Sequence, residues 1–140
     1  MKVSVIYWSG TGNTEMMADA VARGAAAEGC EVEILQVDKA DKSVTDSDVI
    51  LFGCPAMGCE VLEESEFEPF FASIENSLSG KKVGLFGSYD WGDGEWMRNW
   101  QKRVEEKGGI MIADGLAVNN TPGPEEIDKC VFLGKTASQQ

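Results

Sequence analysis

YWSGTGNT, Tyr7 to Thr14, decides how the rest of the chain is read. It follows a short apolar run, KVSVI, and opens onto a long helical pattern, EMMADAVARGAAAEG. A loop of glycines and hydroxyls between a strand and a helix is a phosphate cradle. The N–H groups of the helix start and the helix dipole both attract an anion. Ser9, Thr11 and Thr14 add hydroxyls, Asn13 adds an amide, and Gly10 and Gly12 let the backbone wrap closely. The loop lacks the lysine of a nucleoside-triphosphate loop and the three spaced glycines of a dinucleotide fingerprint. One terminal phosphate is the group it suits. Ordinary capping by Ser, Thr and Asn accounts for part of this composition, but six consecutive residues drawn from Gly, Ser, Thr and Asn exceed it.

Outward from the loop, strands and helices alternate. Lys2 to Tyr7 reads as a buried strand. The helix spans Asn13 to Glu28, with Met17, Ala20, Val21, Gly24 and Ala25 on one face and Gly29 as its stop. Val32 to Val37 is the second strand, followed by a polar loop, DKADKSVTDSD. Val49 to Gly53 is wholly apolar, as central parallel strands are. A helix over Glu66 to Leu78 turns Phe67, Phe70, Phe71, Ile74 and Leu78 inward. Lys82 to Gly87 is a strand and Glu95 to Lys107 a helix. The last strand begins at Ile110 to Ile112 and resumes at Gly115 to Val118, and Pro124 to Thr136 is the final helix. This alternation predicts an α/β fold, an open parallel sheet with helices on both faces, as one domain over residues 1–140. Ligands in such sheets bind beyond the carboxyl ends of the strands.

Two further loops fall at that edge. Cys54-Pro55-Ala56-Met57-Gly58-Cys59-Glu60 puts a large apolar side chain beside a glycine that can change turn type. Gly87 to Gly94 sets Ser88, Tyr89, Asp90, Trp91, Gly92 and Asp93 in one loop, and its aromatics suit a flat wall for a planar ligand. Trp96 and Trp100, four apart on the next helix, read as packing residues. A phosphate cradle, a methionine and a tryptophan at one edge describe a phosphorylated, flat, aromatic ligand, and flavin mononucleotide (FMN) fits.

The formal net charge is −12, and there is no histidine. That excludes the basic footprint of a nucleic-acid binder and removes the commonest general base. No catalytic residue and no metal site is assigned. The four cysteines form no CxxC pair, and neither a membrane-spanning run nor a signal-peptide pattern is present. A cytoplasmic, reduced monomer is expected. EVLEESEFEP carries five glutamates beside the proposed ring edge, a docking surface for basic partners.

The stretches VIYWSGTGNTE, LFGCPAMGCEVLEESEFEPF and GKKVGLFGSYDWGDGEW closely resemble the short-chain flavodoxin family. The resemblance implies a three-layer sandwich with a five-stranded parallel sheet of order 2-1-3-4-5. It implies a low-potential one-electron carrier that binds FMN non-covalently and works through its semiquinone and hydroquinone with redox partner proteins. Ser9 to Thr14 would hold the phosphate, with Trp8 closing that loop. Pro55, Ala56 and Ser88 would line the ribityl chain. Met57 and Trp91 would cover the two ring faces. Backbone groups near Tyr89 to Gly92, together with Glu60, would meet the pyrimidine edge, and the peptide after Gly58 would flip on reduction. Asn120 would reach the site after the last strand. Asp90 and Cys59 depart from the family pattern, which has glycine and a small polar residue there. The alternative is an FMN-dependent quinone or nitro reductase on the same fold.

Overall fold

The computed structural model describes all of residues 1–140. Strands β1 (Lys2–Tyr7), β2 (Glu31–Gln36), β3 (Val49–Gly53), β4 (Lys82–Tyr89), β5 (Ile110–Met111) and β6 (Leu116–Asn119) form one parallel sheet. Its order is β2-β1-β3-β4-β5, with β6 continuing the fifth position along β4. Helices α1 (Asn13–Ala27) and α4 (Pro124–Ser138) cover one face, while α2 (Phe67–Ile74) and α3 (Glu95–Glu106) cover the other.

The two-residue period of a strand sorts side chains between these faces. On β3, Ile50 and Phe52 join Phe67, Phe71, Trp96 and Trp100 in the core beneath α2 and α3. Val49 and Leu51 turn the other way, to Met17, Val21 and Leu133 of α1 and α4. Both faces of β3 are therefore dry, which is why its sequence is an unbroken apolar run. Trp96 and Trp100 are buried, as packing residues should be.

The structure departs from the sequence reading in places. The segment expected as a polar loop holds two 3₁₀ turns, Val37–Lys39 and Lys42–Asp46. Asp41 caps the second by accepting from the Ser43 N–H at 2.9 Å, and Val44 is buried beneath it. The second helix ends at Ile74 and tightens into a 3₁₀ turn, Glu75–Ser77, where Asn76 and Ser77 are poor helix formers. Strand β4 runs to Tyr89 because β6 continues to pair with it there, Tyr89 opposite Asn119.

Candidate functional site

The loops at the carboxyl edge are bound to one another by an extension of the sheet's ladder. Trp8 N–H donates to the Gly53 carbonyl at 3.0 Å, Cys54 N–H to Phe86 at 3.1 Å and Ala56 N–H to Ser88 at 3.0 Å. Asn120 N–H donates to the Tyr89 carbonyl at 2.7 Å. These bonds set the walls of an open cleft at the carboxyl edge of the sheet. Trp8, Ser9, Gly10, Thr11, Asn13 and Thr14 form one wall. Pro55, Ala56 and Met57 form the second, and Ser88, Tyr89, Asp90 and Asn120 the third.

The first wall ends at the start of α1. Gly12 stands at the N-cap with φ 95°, and no side chain caps the helix there. Beyond Asn13, its first-turn N–H groups, those of Thr14 and Glu15, are therefore open to an anion. Around them, Gly12 N–H donates to Ser9 Oγ at 3.1 Å and Asn13 N–H to Thr11 Oγ1 at 3.4 Å. Below, Thr14 and Ser88 share a buried hydroxyl contact of 3.0 Å that joins the first wall to the third. This donor set fits a phosphomonoester, and no lysine or arginine lines the cleft.

The second wall continues into a three-residue turn. Met57 N–H donates to the Val61 carbonyl at 2.8 Å and Val61 N–H to Met57 at 3.0 Å. Between them Gly58 and Glu60 are both left-handed, with φ 51° and 54°, and Cys59 is exposed. A left-handed glutamate is unusual, and its side chain is anchored: Glu60 Oε1 accepts from the Glu95 N–H at 3.1 Å. That bond joins the Met57 turn to the start of α3. The Glu60 carboxylate also lies against Gly92, where φ is 91° and a Cβ would come within 2.6 Å of it.

Several of the expected site residues do not line the cleft. Gly12 stands at the α1 N-cap outside the lining, Gly58 and Cys59 are in the rim turn, and Glu60 and Gly92 pack together beside it. Trp91 is 59% exposed at the rim, and Asp93 pairs with Arg98 at 3.0 Å. The carboxylates of Glu60, Asp93 and Glu95 lie within 4.8 Å of one another, with Arg98 offsetting the charge of Asp93, so the rim is net acidic. Burial pushes the Cys54 thiol well above the ordinary range, and Cys54 stays protonated under the second wall. Burial and the Glu15 carboxylate, which accepts from the hydroxyl at 2.9 Å, raise Tyr7.

Two residues of consequence were not legible in advance. Glu63 is buried and caps the start of α2, accepting from Ser65, Glu66 and Phe67 N–H groups at 2.7–2.9 Å. Glu66 accepts from the Trp8 indole. The glutamate run marked an acidic surface but gave no sign of which members turn back onto the fold.

The flavodoxin family model matches residues 5–134. A flavodoxin of Clostridium beijerinckii is 46% identical over 134 residues, covering 95% of this chain and 96% of its own length. A flavodoxin of Megasphaera elsdenii is 47% identical over 138 residues, covering 98% of each. The solution structure of the two-electron reduced Megasphaera elsdenii flavodoxin superposes with a TM-score of 0.89 over 99% of both chains, at 47% identity.

Proposed function

The chain belongs to the flavodoxin family, FMN-binding electron carriers rather than enzymes, and from that premise we propose which of its residues hold FMN. The uncapped start of α1, ringed by neutral hydroxyls, carries this reading. Ser9, Gly10, Thr11, Gly12, Asn13 and Thr14 hold the phosphate, and Trp8 closes over them. Pro55, Ala56 and Ser88 line the ribityl chain, and Met57 and Trp91 cover the ring faces. Gly58 and Cys59 meet one ring edge; Glu60, Tyr89, Asp90, Gly92, Asp93 and Asn120 surround the pyrimidine edge. When bound, FMN takes up and releases electrons one at a time. The chain's own part is to orient the ring, exclude water from its faces and surround it with carboxylates. Those carboxylates disfavour added negative charge there.

Adding FMN to the flavin-stripped protein tests the reading directly. One equivalent should bind, and stepwise anaerobic reduction should resolve two single-electron steps in the visible spectrum. A protein that bleaches in one two-electron step would support the reductase alternative, which the family's electron carriers do not favour.

Gly58 gives a sharper test of the turn. Its φ of 51° lies outside the range open to proline, so Gly58→Pro must rebuild the rim. Both one-electron potentials should shift. Unchanged potentials would exclude a role for the turn in setting them.

The partners we propose are redox proteins with basic docking surfaces, met by the chain as a cytoplasmic monomer of one domain. The support is the net charge of −12 and the carboxylates at the rim. No helix is long and apolar enough to cross a membrane. Electron transfer to a basic partner should slow about tenfold between low and high salt, because steering fields are screened. A salt-independent rate would sink docking by charge.

A further inference from the structure

Trp8 stands between two hollows. It lines the cleft with Ser9 to Thr14, and behind it lies a smaller hollow bordered by Tyr7, Gln36, Asp38 and Glu66. Its indole N–H donates to Glu66 Oε1 at 3.3 Å, from a partner 58 positions away. Its six-membered ring lies against Gly10: a Cβ on Gly10 would sit 3.0 Å from Cη2 and 3.2 Å from Cζ3. The ring therefore covers the side of Gly10 on which a side chain would stand. The Glu66 backbone is itself fixed. Its N–H donates to Glu63 Oε1 at 2.7 Å, and its carbonyl accepts from Phe70 N–H at 3.3 Å. A continuous chain of contacts thus runs from the cap of α2, through Glu66 and Trp8, to the phosphate loop.

We infer that Glu66 is a positioning residue for the phosphate loop, holding the Trp8 indole over Gly10 so that the loop is shaped for a phosphomonoester before it arrives. The inference rests on the FMN reading above. It runs against simple electrostatics. A carboxylate near a phosphate site repels the phosphate, so removing its charge should tighten binding. A clamp predicts the opposite sign, because a loop ordered in advance spends less of its binding energy on ordering.

The test compares affinities for FMN and for riboflavin, which keeps the ring and ribityl chain but lacks the phosphate. Flavin fluorescence titrations would use the wild type, Glu66→Gln, Glu66→Leu, Trp8→Phe and the Glu66→Leu/Trp8→Phe double variant. Glu66→Leu should weaken FMN binding by roughly three- to tenfold, the size of one hydrogen bond, and leave riboflavin binding within about twofold. Glu66→Gln keeps an acceptor oxygen and should bind FMN at least as tightly as the wild type. Trp8→Phe keeps a ring but loses the donor. It should lose as much as Glu66→Leu, and the double variant should lose no more than either alone. In the FMN-loaded protein the Trp8 indole N–H resonance should move on Glu66→Leu, which general destabilisation would not cause. Tighter FMN binding by Glu66→Leu, equal losses for FMN and riboflavin, or additive losses would each overturn the clamp. A wild type that binds FMN while Glu66→Leu binds it equally well would sink the clamp alone. A wild type that binds no FMN would sink the underlying reading with it.

Discussion

Gly134→Val is expected to destabilise the protein by about 3–5 kcal/mol, and Gly134→Ala by about 2–3 kcal/mol. The direction is the informative part. Gly134 lies inside α4, where replacing glycine by alanine ordinarily stabilises a helix by about 1 kcal/mol. Here α1 and α4 cross on glycines. A Cβ on Gly134 would overlap the Val21 carbonyl oxygen and lie 3.0 Å from the Gly24 Cα. A Cβ on Gly24 would overlap the Val131 carbonyl oxygen in return. Backbone atoms cannot turn aside as a side chain can, so the helices must separate and unpack Met17, Val21, Cys130 and Leu133. Against a typical total stability of about 5–15 kcal/mol this is a large loss. Urea unfolding of the two variants and the wild type measures it. Because α1 carries the phosphate loop at its N-terminus, FMN binding should weaken along with stability. A Gly134→Ala protein more stable than the wild type would show that the crossing is loose.

Gly24 also marks the limit of what periodicity reveals. Its place on the inner face of α1 is legible from helical spacing, as are Met17, Val21 and Ala25. Its contact with Gly134 is not, since nothing local links the two positions. The same division runs through the site. The glycine and hydroxyl loop, the Met57 turn and the Tyr89 to Gly94 loop announce themselves by composition, and strand alternation places them at one edge. The resemblance to flavodoxins supplied the sheet order and the roles of individual residues, which spacing alone does not give. What stayed hidden is side-chain direction. Glu60 turns to the start of α3, Glu66 to Trp8 and Glu63 to its own backbone. By residue type alone these are three equivalent glutamates, and only the resemblance set Glu60 apart. The start of α2 has the same origin: Glu63 fixes where the helix begins, and a capping side chain of that kind is not part of a hydrophobic pattern.

Glu63→Ala should cost about 2–3 kcal/mol at neutral pH, and the cost should fade in acid. The wild-type carboxylate accepts from Ser65 at 2.7 Å, Glu66 at 2.7 Å and Phe67 at 2.9 Å, three donors that α2 cannot satisfy within itself. Burial pushes this carboxyl up, but the N–H donors of Phe67, Glu66 and Ser65 together outweigh it and hold its pKa below the ordinary value. A lowered folded pKa fixes the sign. The stabilisation is complete above the unfolded glutamate pKa of about 4.3 and is lost as pH falls through the lower folded value. Urea unfolding of the wild type and Glu63→Ala at pH 7 and in steps below about pH 4.5 should therefore show two curves that converge. A gap between them that stayed constant down to about pH 3 would mean that the charge of Glu63 does not do the capping. The effect reaches the site by two routes. Glu63 N–H donates to Cys54 Sγ at 3.3 Å, at the foot of the Met57 turn, and the cap fixes the backbone of Glu66, which holds Trp8. Loosening α2 at its first turn should thus weaken FMN binding while the far ends of the strands remain paired. Hydrogen exchange would localise the change to residues 60–70 and the phosphate loop, leaving the α1–α4 crossing as protected as before.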